Sequence, residues 1–190
     1  MNIKINELLQ NHKSAHLLYA FNGMDNYIRS AVNFILDGVS LGQSIILIEN
    51  ERYLPHLMKE LKKHLNENEM AKIHQINNFD FYFSSGSYHP PAILNYIENM
   101  YKPFLDENIT FRTWTHVEWS TIDGPLSIVE ELEKVVDRLV ADMGLVIMCA
   151  YEEEGMPESL KLSLLRTHKF ILSDDDVVFS DLYKVEDLIK

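Results

Sequence analysis

The chain has 190 residues, a formal net charge of −12 and a single cysteine. This negative charge argues against direct binding of nucleic acid or anionic membranes, because both attract basic surfaces. The sequence has no apolar run near the roughly 20 residues of a membrane span and no signal-peptide core, and one cysteine cannot form an internal disulfide. We therefore expect a single cytoplasmic domain over 1–190, with a core of about 16–183.

The first elements in the chain form a strand–turn–helix–strand unit. An apolar strand is predicted over 16–21, and a turn follows at 22–25. Apolar residues at spacings of three and four then predict a helix, with Asp25 as candidate N-cap and Gly38 as candidate C-terminal stop. A second apolar strand covers 44–48. Such a unit is typical of a parallel sheet with a right-handed crossover.

The first turn is where a nucleotide-binding protein holds its phosphate loop. That loop needs several glycines, a lysine that reaches the outer phosphates and a Ser or Thr for magnesium. Here the turn has one glycine, Gly23, and Tyr27-Ile28-Arg29-Ser30 stands in place of Gly-Lys-Thr. Arg29 supplies charge but not the loop geometry. We predict a P-loop-type architecture that does not hydrolyse ATP.

The middle of the chain continues the alternation of helix and strand. An amphipathic helix is predicted over 54–65 and a weak strand over 71–77. Aromatic alternation at Phe79–Phe83 predicts a short strand that runs into a flexible Ser/Gly loop at 84–88. The rings cap the sheet in one interpretation, and the loop is a lid over a ligand site in the other.

The second half predicts an α/β protein with a mainly parallel sheet, three layers and an antiparallel C-terminal hairpin. The strand over 145–151 is the most continuous apolar run, so it should lie centrally beside the first strand. The predicted elements are a helix opened by Pro90-Pro91, an extended segment over 109–119, a helix from the Asp123-Gly124-Pro125 turn to Gly144, the 145–151 strand, a helix from near Pro157, and a hairpin over 170–179 around Asp174-Asp175-Asp176.

Candidate binding residues follow from the rule that open α/β sheets bind ligands beyond the carboxyl ends of their strands. We predict that polar and aromatic groups converge there on one partly closed pocket that combines apolar walls with a few polar groups. The rule selects Asn22, Glu49, Asn50, the 114–119 region with Trp114, Glu118 and Trp119, and then Cys149 and Tyr151. The pocket prediction adds His16, Arg112 and His168 to Glu118, Cys149 and Tyr151, with Phe21, Trp114 and Trp119 as apolar walls.

Several of these residues have two interpretations. Glu49 either orients a ligand or is a solvated carboxylate at a helix start. Arg112 and Glu118 either clamp a polar ligand or form an internal ion pair. Cys149 is either reactive or a small buried hydrophobe. His16 and His168 are either core histidines or ligands.

No metal site and no cofactor are predicted. His16, His168 and Cys149 together offer the donors of a soft metal site, but their spacing matches no compact zinc pattern. The Asp174-Asp175-Asp176 turn lacks the spacing of a calcium loop.

With these residues in view, the sequence resembles the MEDS family, the methanogen/methylotroph DcmR-type sensory domain. The resemblance implies a bacterial or archaeal sensory domain of degenerate RecA/KaiC-like fold without a functional P-loop, and it adds Tyr19 to the candidate ligand-binding residues. The residues that carry it are His16, Tyr19, Phe34-x-x-x-Gly38, Gly42-Gln43, Phe111-Arg112, Glu118-Trp119, Cys149-Ala150-Tyr151 and Leu165-x-x-His168.

The resemblance also implies a function. Family members sense small molecules, including hydrocarbon derivatives, and are often fused to DNA-binding or kinase-type domains. We expect a non-enzymatic sensor of a small, apolar or hydrocarbon-derived ligand that acts through a separate signalling partner, with homo-oligomerisation left open. The alternatives are an enzyme that uses the strand-end cluster and a protein-interaction regulator of a kinase pathway.

Overall fold

Seven strands and eight α-helices make up the part of the chain that the computed structural model describes, residues 5–122, 126–173 and 176–184. The strands are β1 (Ala15–Phe21), β2 (Ser44–Glu49), β3 (Ile73–Asn77), β4 (Phe111–Val117), β5 (Val146–Glu152), β6 (Phe170–Ser173) and β7 (Asp176–Phe179). The helices are α1 (Ile5–Asn11), α2 (Met24–Ser40), α3 (Leu54–Leu61), α4 (Glu67–Met70), α5 (Asn78–Phe83), α6 (Pro90–Asp106), α7 (Ser127–Met143) and α8 (Glu158–Thr167).

The strands form one sheet in the order β3-β2-β4-β5-β1-β6-β7. All neighbours are parallel except β6 and β7, which form the antiparallel hairpin. β1 and β5 lie side by side in the centre and pair along their whole length, from Ala15 opposite Val146 to Phe21 opposite Glu152. The predictions of an α/β fold, a mainly parallel sheet and a C-terminal hairpin are confirmed.

The sheet separates two helical layers, because successive side chains of a strand point to opposite faces. We call the helices α1, α2 and α3 on one face the α2 layer; Leu17 and Tyr19 of β1 pack in its core. We call the helices α5 to α8 on the other face the α7 layer; Leu18 of β1 and Cys149 of β5 pack in its core. No described helix is long and apolar enough to cross a membrane.

Helix α2 begins and ends differently from the prediction. Its N-cap is Gly23, at a φ of 76°, and Asp25 lies in the first turn. Gly38 is not a stop signal, because the helix continues through it to Ser40. A Cβ at Gly38 would lie 2.7 Å from Ile45 Cδ1 and 2.8 Å from Arg112 Cδ. The glycine therefore permits close contact between the helix and the sheet.

The predicted strand at Phe79–Phe83 is also wrong, since this segment is part of helix α5. Asn77 caps the helix: its Oδ1 accepts hydrogen bonds from the backbone N–H of Phe79 at 2.9 Å and of Asp80 at 3.4 Å. The helical turn buries Phe81 while Phe79 remains 65% exposed. The aromatic run is therefore helical here because Asn77, the residue before the helix, caps its first turn.

Two predicted turns fall partly or wholly outside the described residues. The Asp123-Gly124-Pro125 turn is one, and Asp174-Asp175 of the acidic turn is the other. Helix α7 is described from Ser127, and it ends as predicted at Gly144, which has a left-handed φ of 68°.

Candidate functional site

The predicted single pocket does not form, because its members lie on both faces of the sheet. Arg112 and Trp114 of β4 point into the α2 layer, where Trp114 is part of the core. Cys149 and Tyr151 of β5 point into the α7 layer. Thr115 pairs with Cys149 across the two strands. The even-numbered side chains of β4 and the odd-numbered ones of β5 therefore face opposite ways.

Arg112 and Glu118 lie at opposite ends of β4 and make neither the predicted clamp nor the predicted ion pair. Arg112 is fully buried at the amino end. Its Nη1 lies 3.2 Å from Asp37 Oδ2, and its Nε donates to Gln43 Oε1 at 2.6 Å. Burial lowers the pKa of Arg112, and Asp37 partly offsets that effect. Arg112 thus connects α2 to the sheet.

Glu49 belongs to a buried hydrogen-bond network in the α2 layer, so the interpretation as a solvated carboxylate is wrong. The Tyr27 hydroxyl donates to Glu49, and His116 Nδ1 lies 2.7 Å from Glu49 Oε1. Trp114 Nε1 donates to the Tyr27 hydroxyl at 2.7 Å. Burial and the charge of Glu49 raise the pKa of Tyr27 well above its ordinary value. His116 was missed, although its position two residues after Trp114 places it on the same face.

Tyr19 and Asn22 line a cleft of about 430 Å³ at the β1–α2 turn, together with Arg29 and Lys161. Asn22 Nδ2 donates to Glu153 Oε2 at 2.9 Å, and Lys161 Nζ lies 2.6 Å from Glu153 Oε1. The cationic group of Lys161 is therefore already paired within the chain.

Trp119 lies elsewhere, in the 3₁₀ turn Trp119–Thr121 that follows β4. Its Nε1 donates to the carbonyl of Glu152 at 2.8 Å.

An aromatic groove of about 200 Å³ lies beside α5 at the carboxyl ends of β3 and β4. Glu118 is its acidic group, and the Nδ2 atoms of Asn50 and Asn78 each donate to that carboxylate at 2.9 Å. The hydroxyl of Tyr88 is buried and has no hydrogen-bond partner among the described residues. The groove is lined by Asn78, Phe79, Tyr82, Phe83, Tyr88, Val117, Glu118, Thr121 and Ile122.

A second, internal cavity of about 30 Å³ lies between the sheet and the helices α5, α6 and α7. Tyr82 lines both this cavity and the aromatic groove. The far wall of the cavity includes Glu133 and Cys149. The aromatic side chain of Tyr82 therefore separates the groove from a polar cluster deeper in the α7 layer.

That polar cluster, which we call the four-residue cluster, consists of His16, Glu133, Cys149 and His168. One side-chain N, O or S atom of each lies within 4.8 Å of the others, and all four residues are buried. They come from β1, α7, β5 and the residue that follows α8. Sequence reasoning brought the two histidines and Cys149 together but missed Glu133, which lies on the buried face of α7 between Val129 and Val136.

The two histidines of the cluster have opposite pKa shifts. Burial alone would lower the pKa of His16, but contacts with Cys149, Asp137 and Glu133 raise it well above its ordinary value. Burial, aided by the charge of His16, lowers the pKa of His168 to about 4. Burial and the charge of Glu133 raise the pKa of the Cys149 thiol to about 12. His168 is therefore neutral near pH 7, and Cys149 is a thiol.

A KaiC-like protein from the hyperthermophilic archaeon Pyrococcus horikoshii OT3 has a similar fold, with a TM-score of 0.58 and 16% identity, over 84% of this chain and 71% of that chain. At this identity the likeness concerns the fold alone. A comparison with curated proteins gives no match. The model of the MEDS family, the MEthanogen/methylotroph, DcmR Sensory domain, matches residues 15–169, and the chain therefore belongs to the MEDS family.

Proposed function

We propose that this protein is a non-enzymatic domain that senses a small, largely apolar ligand bound in the aromatic groove. Membership of a sensory-domain family supports a sensing role. The observation that carries the choice of site is the buried hydroxyl of Tyr88, which has no hydrogen-bond partner among the described residues. Leaving such a group unsatisfied costs about 1–3 kcal/mol, so a bound ligand that accepts its hydrogen bond recovers that free energy.

The chemistry of the groove narrows the class of ligand. The aromatic rings of Phe79, Tyr82 and Phe83 provide an apolar wall. Glu118, held by two asparagine amides, places a carboxylate at the rim and disfavours anions. We therefore expect a compact neutral molecule with an apolar body and one hydrogen-bond acceptor, such as a short ketone or ester.

The position of α5 suggests how binding is reported. Phe79 is 65% exposed, and its ring stacks on Phe83 with a centroid distance of 5.2 Å. Both rings line the groove. A ligand that displaces either ring changes the exposed surface of α5, and a signalling partner reads that change.

The other predicted ligand contacts take different roles in this proposal. Glu118 contacts the ligand directly, whereas Glu49, Arg112 and Trp114 organise the opposite face of the sheet. The proposal includes no ATP hydrolysis, because the β1–α2 turn carries Tyr27-Ile28-Arg29-Ser30 in place of Gly-Lys-Thr.

A thermal-shift series tests the site. The compounds are a short ketone, the alkane of equal size and the corresponding carboxylic acid, each added to wild type and to Tyr88→Phe. We expect the ketone to raise the melting temperature of wild type more than the other two, because ligands that bind only the folded state stabilise it. Loss of one hydrogen bond, about 1 kcal/mol, should weaken ketone binding roughly fivefold in Tyr88→Phe.

The matched control is Tyr53→Phe, which removes a tyrosine hydroxyl from the opposite face of the sheet. Its ketone response should equal that of wild type. Equal responses of wild type and Tyr88→Phe to the ketone would place the ligand outside the groove, and no response to any neutral compound would refute this class of ligand.

A further inference from the structure

The four-residue cluster has the donor atoms of a transition-metal site. Two imidazole nitrogens, a sulfur and a carboxylate oxygen are all common ligands of zinc. His16 Nε2 lies 3.3 Å from Glu133 Oε2, and His168 Nε2 lies 3.5 Å from the same oxygen. Cys149 Sγ lies 3.5 Å from His16 Nε2 and 3.9 Å from Glu133 Oε2. A tetrahedral zinc ion with ordinary bond lengths separates such donors by about 3.3–3.6 Å.

Hydrogen bonds from outside the cluster orient both histidines. His16 Nδ1 lies 3.1 Å from Asp137 Oδ1, and His168 Nδ1 lies 2.9 Å from the carbonyl of Leu164. Each ring therefore presents its Nε2 to the centre of the cluster. Metal-binding histidines have this arrangement, in which the second ring nitrogen donates to a carboxylate or a backbone carbonyl.

Glu133 is held in the same way. The Tyr151 hydroxyl donates to Glu133 Oε1, which leaves Oε2 as the atom that faces the two histidines and Cys149. A divalent ion bound by this carboxylate, the Cys149 thiolate and two neutral imidazoles gives a complex of zero net charge. Burial of such a complex avoids the large cost of isolated buried charge.

An independent observation points to an absent ligand. His168 is fully buried, and its Nε2 has no hydrogen-bond partner among the described residues. Because Nδ1 donates to Leu164, Nε2 presents a lone pair to the Glu133 carboxylate oxygen. Two acceptor atoms that face each other inside a protein are stabilised by a cation between them.

We propose that His16, Glu133, Cys149 and His168 bind one divalent transition-metal ion in tetrahedral geometry, with zinc the best match to the donor set. On binding, the Cys149 thiol and the protonated His16 ring, whose pKa is raised, each release one proton to solvent, and the sulfur and His16 Nε2 then form metal bonds. The ion lies under the internal cavity, where it joins β1, β5, α7 and the end of α8. This site is separate from the aromatic groove and does not depend on the proposed ligand sensing.

Cobalt tests the site directly, because tetrahedral Co²⁺ has visible d–d bands and a thiolate ligand adds a near-ultraviolet charge-transfer band. The protein is produced in cobalt-supplemented minimal medium, and its metal content and absorption spectrum are measured. We expect about one cobalt per chain and both spectral features. Since the chain has one cysteine, a thiolate-to-cobalt band in the wild-type monomer assigns Cys149 without any variant.

Variants then separate this site from surface binding. Cys149→Ala should remove the charge-transfer band, and His168→Asn should weaken cobalt binding at least tenfold, since even loss of an outer-shell partner weakens metal affinity about 10–100-fold. The control, His56→Ala with His64→Ala, removes two histidines that line a surface cleft and should leave the spectrum unchanged. Zinc-loaded wild type should also melt at a higher temperature than chelator-treated protein.

Two kinds of outcome would overturn the proposal, too little metal or metal bound elsewhere. One is wild-type protein that contains cobalt or zinc well below one ion per chain. The other is a stoichiometric ion whose spectrum lacks the thiolate band, or whose binding disappears in the His56 and His64 control.

Discussion

At the scale of single residues, Gly38 and Arg112 show how one missing methyl group positions a buried cation. The Arg112 side chain passes directly under helix α2. Any larger residue at Gly38 would place its Cβ 2.8 Å from both Cδ and Nε of Arg112. The guanidinium cannot easily move, because it is bonded to Asp37 and Gln43.

We predict that Gly38→Ala destabilises the protein by about 1–3 kcal/mol, the usual cost of inserting atoms into a packed core. Helix propensity alone predicts the opposite, a gain of about 0.5–1 kcal/mol. Urea unfolding followed by circular dichroism measures the change. Ser40→Ala in the same helix is the control and should change stability by less than about 0.5 kcal/mol. If Gly38→Ala instead made the protein more stable, the helix would have shifted away from Arg112 at no cost in free energy.

Three members of the four-residue cluster could be named from the sequence, but the fourth, Glu133, could not. His16, Cys149 and His168 stand out because they are polar or nucleophilic in apolar surroundings. Glu133 did not, because apolar periodicity assigns a charged residue to the exposed face of a helix, whereas Glu133 shares the buried face of α7 with Leu132 and Val136. A carboxylate on the buried face breaks the pattern on which periodicity depends.

At the scale of elements, helix α5 depends on a short-range signal that the aromatic pattern obscures. Asn77 ends β3 and caps α5 with two hydrogen bonds. The cap determines that Phe81 and Tyr82 face the sheet while Phe79 faces outward. The wall of the aromatic groove therefore depends on one side-chain amide.

We predict that Asn77→Ala weakens α5 by about 1 kcal/mol, the usual value of an N-cap. Amide hydrogen exchange over 78–83 should accelerate about fivefold, and ketone binding in the groove should weaken. Asn66→Ala is the matched control, since Asn66 caps α4 through its bond to Glu69 N. Its effect should be confined to 67–70; faster exchange over 78–83 in both variants, or in neither, would contradict a local role for Asn77.

Long or continuous apolar patterns predicted their elements well. β1, β2, β5 and α6 lie close to their predicted positions, because each buries a long apolar face. The short helices α4 and α5 were missed, since they have fewer than two full turns of pattern and depend on their asparagine caps.

At the scale of the whole molecule, the fold resembles a KaiC-like protein, while the β1–α2 turn differs from a phosphate loop. We predict no magnesium-dependent ATP turnover by the purified protein. A phosphate-release assay at saturating ATP should not exceed the protein-free blank for wild type or for Arg29→Ala. Turnover in wild type that Arg29→Ala abolishes would show that Arg29 replaces the missing lysine.

The architecture was predictable from the sequence, but the distribution of site residues over the two faces was not. Alternation within one strand can be read from its residues. The relative register of two strands depends on contacts between residues distant in sequence, such as Thr115 opposite Cys149. A shift of one residue moves a whole set of side chains to the other face. For this reason the sequence placed Arg112 and Cys149 in the same pocket although the sheet lies between them.

The aromatic groove and the Glu49 network lie on opposite faces of the sheet, so such a domain can diversify on one face at a time. Substitutions in the aromatic groove change neighbours in the α7 layer, whereas Tyr27, Glu49, Trp114 and His116 contact one another on the far side of β4. Effects of substitutions without shared partners add nearly independently. Glu118 is an exception, because Asn50 donates to Glu118 through its Nδ2 and to Glu49 through its backbone N–H. Evolution can thus alter ligand preference on one face while selection for a stable scaffold acts on the other.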